Sequence, residues 1–203
     1  MAAAATISGP NTAFELRVSN HIWDKQKNVT GLFKPDEEPA ICYAGQLVTE
    51  EAQLPNEGYT GIANENAWFM GTPGYDPVGT VYACNTFNVN EIQDPVTGNI
   101  YKVGTNTLGL PIPAGQRGTY TRIDEGDMMR FGIGNFSGTP TVGQYAIVGE
   151  TGVLIPAGDA PNTMNALYFE VLGTGTFTQG AYAAFGYVLV RAHRVHAVAA
   201  NPS

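Results

Sequence analysis

The segment Gly109-Leu110-Pro111-Ile112-Pro113-Ala114-Gly115 recurs in the chain as Gly152-Val153-Leu154-Ile155-Pro156-Ala157-Gly158. The two copies agree at five of seven positions and begin 43 residues apart. Proline fixes φ and the glycine two positions later can take a positive φ, so each copy predicts a turn between two strands. The pair is interpreted either as one common β-turn used twice or as two related hairpins at equivalent positions in two sheets. A looser echo is Tyr43-Ala44-Gly45.

Strand periodicity continues outside the repeat. Phe14, Leu16 and Val18 alternate with polar residues, which is the pattern of a half-buried strand. Residues 40–48 predict a strand, a glycine turn and a second strand. Residues 94–99 are rich in turn formers and precede an apolar stretch that begins at Ile100, so they predict a hairpin.

Helical patterning is weak along the whole sequence. The two best candidates are Val48–Leu54 and a single turn in Asp124–Arg130, and both are short. The 25 glycines and 13 prolines are scattered between apolar runs, where they divide the chain into short pieces. The predicted fold class is therefore all-β, a sandwich or barrel of short antiparallel strands with little helix.

The length of 203 residues suits one sizeable domain, and a hydrophobic content of 43% is enough for a packed core. Residues 1–12 are small and polar and are closed by Gly9-Pro10-Asn11, so we expect a flexible N-terminal arm. Residues 13–203 are predicted to form the β-rich domain, either as one unit or as two lobes divided near residues 100–108.

The net charge of −8 is unevenly distributed, because residues 35–101 hold ten acidic residues and no lysine or arginine. This segment is either a solvated acidic face or the complement of a basic partner. Binding to nucleic acid is not expected, since it requires clustered basic residues.

The N-terminal sequence lacks the basic start and apolar middle of a signal peptide, so secretion by that route is not expected. The longest apolar run, Ala181–Val190, is about half the length of a membrane span, and no membrane association is expected. Cys42 and Cys84 stand among apolar neighbours and are predicted to be buried free thiols.

Three histidines are the strongest candidates for metal ligands. His193 and His196 are three residues apart in a predicted strand, so they should face opposite sides and not chelate one ion. His21 is distant in sequence. Arg191 and Arg194 are predicted to form an electropositive edge that meets the acidic segment of a neighbouring copy.

Motifs for catalysis are missing from the sequence. Asp124-Glu125-Gly126-Asp127 lacks the spacing of a calcium loop and is interpreted as an acidic turn. A nucleophile elbow and a phosphate-binding loop are also absent. We therefore predict that the protein is not an enzyme and has no catalytic, cofactor-binding or metal-binding residues and no cofactor. An enzyme on a β scaffold such as a cupin is a third hypothesis, disfavoured by the few histidines.

Aromatic residues leave a second kind of function open. Trp68, Phe69, Tyr182, Phe185 and Tyr187 are expected in the core or at a subunit interface. If they were exposed, they would form a platform for sugar rings.

The combination of short strands, apolar-Pro-Ala-Gly turns, few charges and no catalytic motif resembles the decoration (cement) proteins of tailed-bacteriophage capsids, over roughly residues 40–195. That resemblance implies a virion structural protein that binds the outer capsid surface and stabilises the shell. The implied partners are the major capsid protein and further copies of the chain in a homotrimer. The implied location is the capsid surface, after assembly in the host cytoplasm. The alternative is a carbohydrate-binding β-sandwich module.

Overall fold

β-Strands make up nearly all the regular structure of the protein. The computed structural model describes residues 12–18, 27–55, 63–85, 91–93, 100–102, 111–177 and 185–196. The strands are β1 (Phe14–Val18), β2 (Asn28–Phe33), β3 (Leu47–Pro55), β4 (Ala63–Gly71), β5 (Val81–Cys84), β6 (Glu91–Gln93), β7 (Ile100–Lys102), β8 (Arg117–Arg122), β9 (Met128–Gly132), β10 (Tyr145–Val148), β11 (Leu154–Ala157), β12 (Leu167–Phe177) and β13 (Phe185–Arg194). Within these described residues, 3-10 helices occupy Pro35–Glu37 and Ile133–Asn135. The predicted all-β class is confirmed.

One layer is a six-stranded antiparallel sheet in the order β1-β9-β13-β12-β10-β11. Its strands alternate as the sequence predicts: Leu167, Phe169 and Val171 of β12 are buried, and the residues between them are partly exposed. β12 and β13 have 11 and 10 residues, so these two strands are longer than expected.

The other layer is a closed barrel in the order β2-β4-β3-β5-β8. β2 and β4 are parallel, unlike the antiparallel pairing predicted throughout. The barrel interior holds a second apolar cluster that includes Val48, Met70, Tyr82, Cys84 and Tyr120.

The sheet packs against the wall of the barrel formed by β3 and β5. Leu47, Val81 and Ala83 join the core of the sheet, whereas their neighbours Val48 and Tyr82 face the barrel interior. All four residues of β5 are buried for this reason. One wall of the barrel therefore has both of its faces covered.

Five strands open with the same kind of turn. In each, the fourth residue donates its N–H to the carbonyl of the first at 2.9–3.1 Å, and the third residue has a positive φ, as in a type II turn. These turns are Tyr43–Gln46 before β3, Pro113–Gln116 before β8, Asp124–Asp127 before β9, Thr141–Gln144 before β10 and Thr163–Ala166 before β12. This turn therefore recurs at more places in the described chain than the heptapeptide does.

The two copies of the heptapeptide are not equivalent. In the first, Pro113 and Gly115 form the predicted turn. In the second, Leu154–Ala157 is strand β11, so the turn predicted there is wrong. Pro156 is tolerated because β11 lies at the edge of the sheet. Tyr43–Gln46, which resembles the heptapeptide less closely in sequence, forms the same turn as the first copy. The residues that precede these two turns, Cys42 and Ile112, are joined by paired backbone hydrogen bonds.

Other local predictions have mixed outcomes. The helix candidate Val48–Leu54 belongs to strand β3, so that candidate is wrong. The hairpin is supported by the antiparallel pairing of β6 with β7, although its turn lies outside the described residues. The predicted arm also lies outside them except for Thr12, which is buried. The division near residues 100–108 stays a prediction, and each of the two layers contains strands from both sides of it.

Candidate functional site

Two loops meet where the barrel joins the sheet. Residues 72–80 connect β4 to β5, and residues 163–166 form the turn that opens β12. The carbonyl of Pro77 accepts a hydrogen bond from Leu167 N–H at 3.0 Å, and the Thr163 hydroxyl lies 3.4 Å from the Asp76 carboxylate. The loop from the barrel is thus fastened to the sheet.

Arg194, the last residue of β13, donates side-chain hydrogen bonds to both loops. Its Nη1 donates to the carbonyls of Asn165 at 2.9 Å, Val78 at 3.1 Å and Pro77 at 3.4 Å, and its Nη2 donates to Gly79 at 2.8 Å. Burial lowers the pKa of Arg194 below its ordinary value, against the opposing attraction of Glu125 and Asp124. A guanidinium remains charged under these conditions, so the loops are held by charge-assisted hydrogen bonds.

Three apolar side chains point outward from these fastened loops. Tyr75 is 60% exposed, Val78 is 56% exposed and Met164 is 49% exposed. We call these three residues the loop surface. Large apolar side chains that are exposed on loops held by hydrogen bonds are typical of a surface that binds another molecule.

The backbone of both loops is strained next to the loop surface. Asp76 has φ 46° and Asn165 has φ 63°, values that side chains other than glycine rarely adopt. Asp76 also has a buried carboxylate oxygen, Oδ1, without a hydrogen-bond partner among the described residues. Strain of this kind concentrates at functional sites and persists only where the surroundings enforce it.

An open cleft of about 420 Å³ adjoins the loop surface and is lined by residues 78–80, residues 122–124 and Arg194. Among the described residues that line the cleft, the one carboxylate belongs to Asp124, which accepts hydrogen bonds from Arg122 Nε and Lys27 Nζ, both at 2.9 Å. Burial raises the pKa of Asp124, but the hydrogen bonds from Lys27 and Arg122 outweigh this effect and hold the pKa below its ordinary value. With two guanidinium groups and one carboxylate, the lining is net positive in a chain whose net charge is −8.

The outward face of the six-stranded sheet carries a row of aromatic rings. Tyr145 meets Tyr168 edge to face at 5.6 Å between ring centroids, and Tyr168 stacks on His193 at 5.4 Å. Arg130 lies over the ring of Tyr187 at 4.4 Å. This face is partly exposed and mixes aromatic with charged groups.

The histidines meet different carboxylates. His193 lies 3.1 Å from Glu170 and His196 lies 2.7 Å from Glu125, so the structure does not bring the two rings to one site. Among the described residues, no group of three His, Cys, Asp or Glu side chains is arranged to hold a metal ion. His21 lies outside the described part of the chain.

The two arginines of the predicted electropositive edge have separate roles within the chain. Arg191 pairs with Glu170 at 3.7 Å, and Arg194 fastens the loops. Asp124-Glu125-Gly126-Asp127 forms the predicted acidic turn, and both of its aspartates bind Lys27. Cys42 and Cys84 are free and buried, as predicted.

The predicted aromatic residues are distributed between the two layers. Trp68 packs on the barrel core, and Phe69 lies beneath the Lys34 ammonium at 5.4 Å. Phe185 begins β13, and Tyr182 lies outside the described residues. None of these forms the loop surface.

The loop surface was not predicted from the sequence, because residues 71–77 are rich in glycine and proline and show no strand periodicity. The available signal was the presence of two large apolar residues, Tyr75 and Val78, in a segment of glycine and proline without strand periodicity. Such residues do not repeat at the spacing of a strand or helix that packs on a core, so they are expected at the surface.

Comparison with known proteins gave no match to a family model, to a curated protein or to a solved structure. In the described part of the chain, no helix has the length and apolar character needed to cross a membrane.

Proposed function

We propose that this chain is a non-catalytic structural protein of a virion that binds the outer surface of a phage capsid and stabilises the shell. The observation that carries this proposal is the loop surface, in which Tyr75, Val78 and Met164 are exposed on loops fastened by Arg194. The proposed partners are the major capsid protein and further copies of this chain in a homotrimer.

A fastened loop surface suits docking onto a repeating shell. Loops that are already ordered lose little conformational entropy on binding, so more of the contact energy appears as affinity. Full burial of an exposed apolar side chain contributes about 1.5–3 kcal/mol, and the three residues here start about half exposed. In the proposed homotrimer, modest affinity at each site would be multiplied, because one trimer could occupy several equivalent positions of the lattice at once.

The test is co-sedimentation of the full chain with capsids preassembled from the major capsid protein of the same phage. The combined variant Tyr75→Ser, Val78→Ser and Met164→Ser should lose most of the binding. Val142→Ser is the matched control, because Val142 is 55% exposed and occupies the same position in the turn that opens β10 as Met164 does in the turn that opens β12. Equal binding by the triple variant and the wild type would contradict the proposal.

A carbohydrate-binding module is the second candidate. It is favoured by the exposed ring of Tyr75 and by the row of Tyr145 and Tyr168 on the open sheet face. Stacking of sugar rings on these side chains would quench tyrosine fluorescence during titration with oligosaccharides. Saturable quenching by one class of glycan, together with no binding to capsids, would favour this function over the first.

A further inference from the structure

We propose that Cys42 and Cys84 are a modification site, at which a small-molecule disulfide such as oxidised glutathione converts the two thiols to a reversible disulfide inside the barrel. Both cysteines are free and fully buried in the structure, which therefore describes the reduced form of this site. The inference concerns the barrel interior and does not depend on what the loop surface binds.

Backbone hydrogen bonds fix the positions of the two cysteines. Cys42 and Ile112 each donate their N–H to the carbonyl of the other, at 3.0 and 2.8 Å. Cys84 ends β5, where its N–H donates to the carbonyl of Gln46 at 2.9 Å and its carbonyl accepts the N–H of Gly45 at 2.8 Å. Gly45 and Gln46 belong to the turn that begins directly after Cys42. The turn therefore brings together two cysteines that are 42 residues apart in the sequence.

The two thiols are in contact within the apolar cluster of the barrel interior. The Cys84 Sγ lies 3.8 Å from the carbonyl oxygen of Cys42, and the Cys84 thiol also hydrogen-bonds the Cys42 side chain. In the unfolded chain, a disulfide between these residues must first close a loop, which costs conformational entropy. The fold has already met that cost, so it raises the effective concentration of each thiol beside the other.

The closed barrel protects the pair from oxidation. Burial, with a smaller contribution from Cys42, raises the pKa of Cys84 well above its ordinary value, and the thiolate is the form that attacks a disulfide. Reaction therefore begins when the barrel opens locally. One cysteine thiolate attacks the sulfur–sulfur bond of the reagent, so that a mixed disulfide forms and one reagent thiol leaves. The other cysteine thiolate attacks the protein sulfur of that mixed disulfide, and the second reagent thiol leaves. Two electrons pass to the reagent, and the two protons of the cysteine thiols end on the released thiols.

The experiment is a redox titration of the full chain with reduced and oxidised glutathione, in buffer and again in guanidinium chloride. Each equilibrium is approached from the reduced and from the oxidised protein. Acid quenching, alkylation of free thiols and mass spectrometry then give the fraction of bridged monomer. The equilibrium constant for the bridge should be at least about thirtyfold larger in the folded than in the unfolded chain, the lower end of what a native disulfide contributes to stability. An equal or smaller constant in the folded chain would overturn the inference, because the fold would then resist the bridge.

Cys84→Ala is the matched control, because it keeps an apolar side chain at this position and leaves Cys42 without a second thiol to resolve a mixed disulfide. This variant should accumulate a glutathione adduct at Cys42, whereas the wild type should form bridged monomer with little adduct. Equal amounts of adduct in the two proteins, or covalent dimers of the wild type in place of bridged monomer, would overturn the inference. The titration itself uses the wild-type chain, so its result stands even if Cys84→Ala is less stable.

Discussion

The ammonium group of Lys27 lies 2.6 Å from the carboxylate of Asp127, and this pair joins the two layers of the protein. Lys27 directly precedes β2 of the barrel, and Asp127 directly precedes β9 of the sheet. The Asp127 side chain is fully buried and also accepts the backbone N–H of Asp124 at 2.9 Å. A buried charge that loses its partner is strongly destabilising, so this pair is a sensitive point of the fold.

Substitution of Asp127 by alanine should therefore reduce the free energy of unfolding by about 3 kcal/mol, because Lys27 keeps only Asp124 as a charged partner. Denaturant unfolding measures the change. Glu15→Gln is the control, since Glu15 pairs with Arg17 and Arg130, all three side chains are partly exposed, and the loss should cost less than about 1 kcal/mol. Similar losses of unfolding free energy in both variants would show that the buried pair stabilises the fold no more than the partly exposed pairs do.

Stability should also depend on pH through Asp124. Its folded pKa lies below the ordinary value of 3.8, so the unfolded chain binds the proton more readily. The contribution of Asp124 is therefore fully present above the unfolded pKa and is lost as pH falls through the folded pKa. The unfolding free energy measured between pH 7 and pH 2 should decline at the acidic end, and Asp124→Asn should decline less steeply. A parallel decline in the two proteins would exclude Asp124 as a source of this dependence.

Two glycines with nearly equal φ allow the cost of a steric clash to be separated from the cost of backbone strain. Gly143 has φ 83° and open space around it, whereas a Cβ on Gly152, with φ 79°, would overlap the backbone of Leu47. Gly143→Ala should cost about 1 kcal/mol from the left-handed conformation alone. Gly152→Ala adds a clash with the barrel and should cost about 3 kcal/mol or more. Thermal unfolding of the two variants gives the comparison, and equal losses would mean that the barrel moves away freely.

The all-β class could be predicted because alternation along β1 and turn residues before β8 are local signals. The arrangement of the strands into a sheet and a barrel could not be predicted in this way. β5 is buried on both faces, so Val81–Cys84 shows no alternation that would assign it to the barrel or to the sheet. Val48–Leu54 is a short acidic segment without clear alternation, so its local sequence did not exclude a helix, and pairing with β4 and β5 makes it part of strand β3.

The candidate site depends on contacts that are distant in the sequence. Arg194 could be recognised as a charged residue in a strand, but its acceptors at Val78 and Gly79 are 116 and 115 residues away. Those acceptors are backbone carbonyls, which every residue has, so no side-chain pattern marks them. Only the fold shows that Arg194 fastens the loops.

Arg194→Lys tests that fastening directly. Lysine keeps the charge but cannot reach four carbonyls with the geometry of a guanidinium, so residues 72–80 and 163–166 should exchange their amide hydrogens faster. The core strands β12 and β13 should keep their protection, because Arg194 is at the end of its strand. Capsid binding should fall together with the loop protection, since the loop surface would then have to be ordered on docking. Arg191→Lys is the matched control, because in the described part of the chain Arg191 pairs with the partly exposed Glu170 and with neither loop, so the change should affect neither property. Unchanged exchange in the loops of Arg194→Lys would contradict the fastening role, and retained capsid binding with faster exchange would show that docking does not need ordered loops.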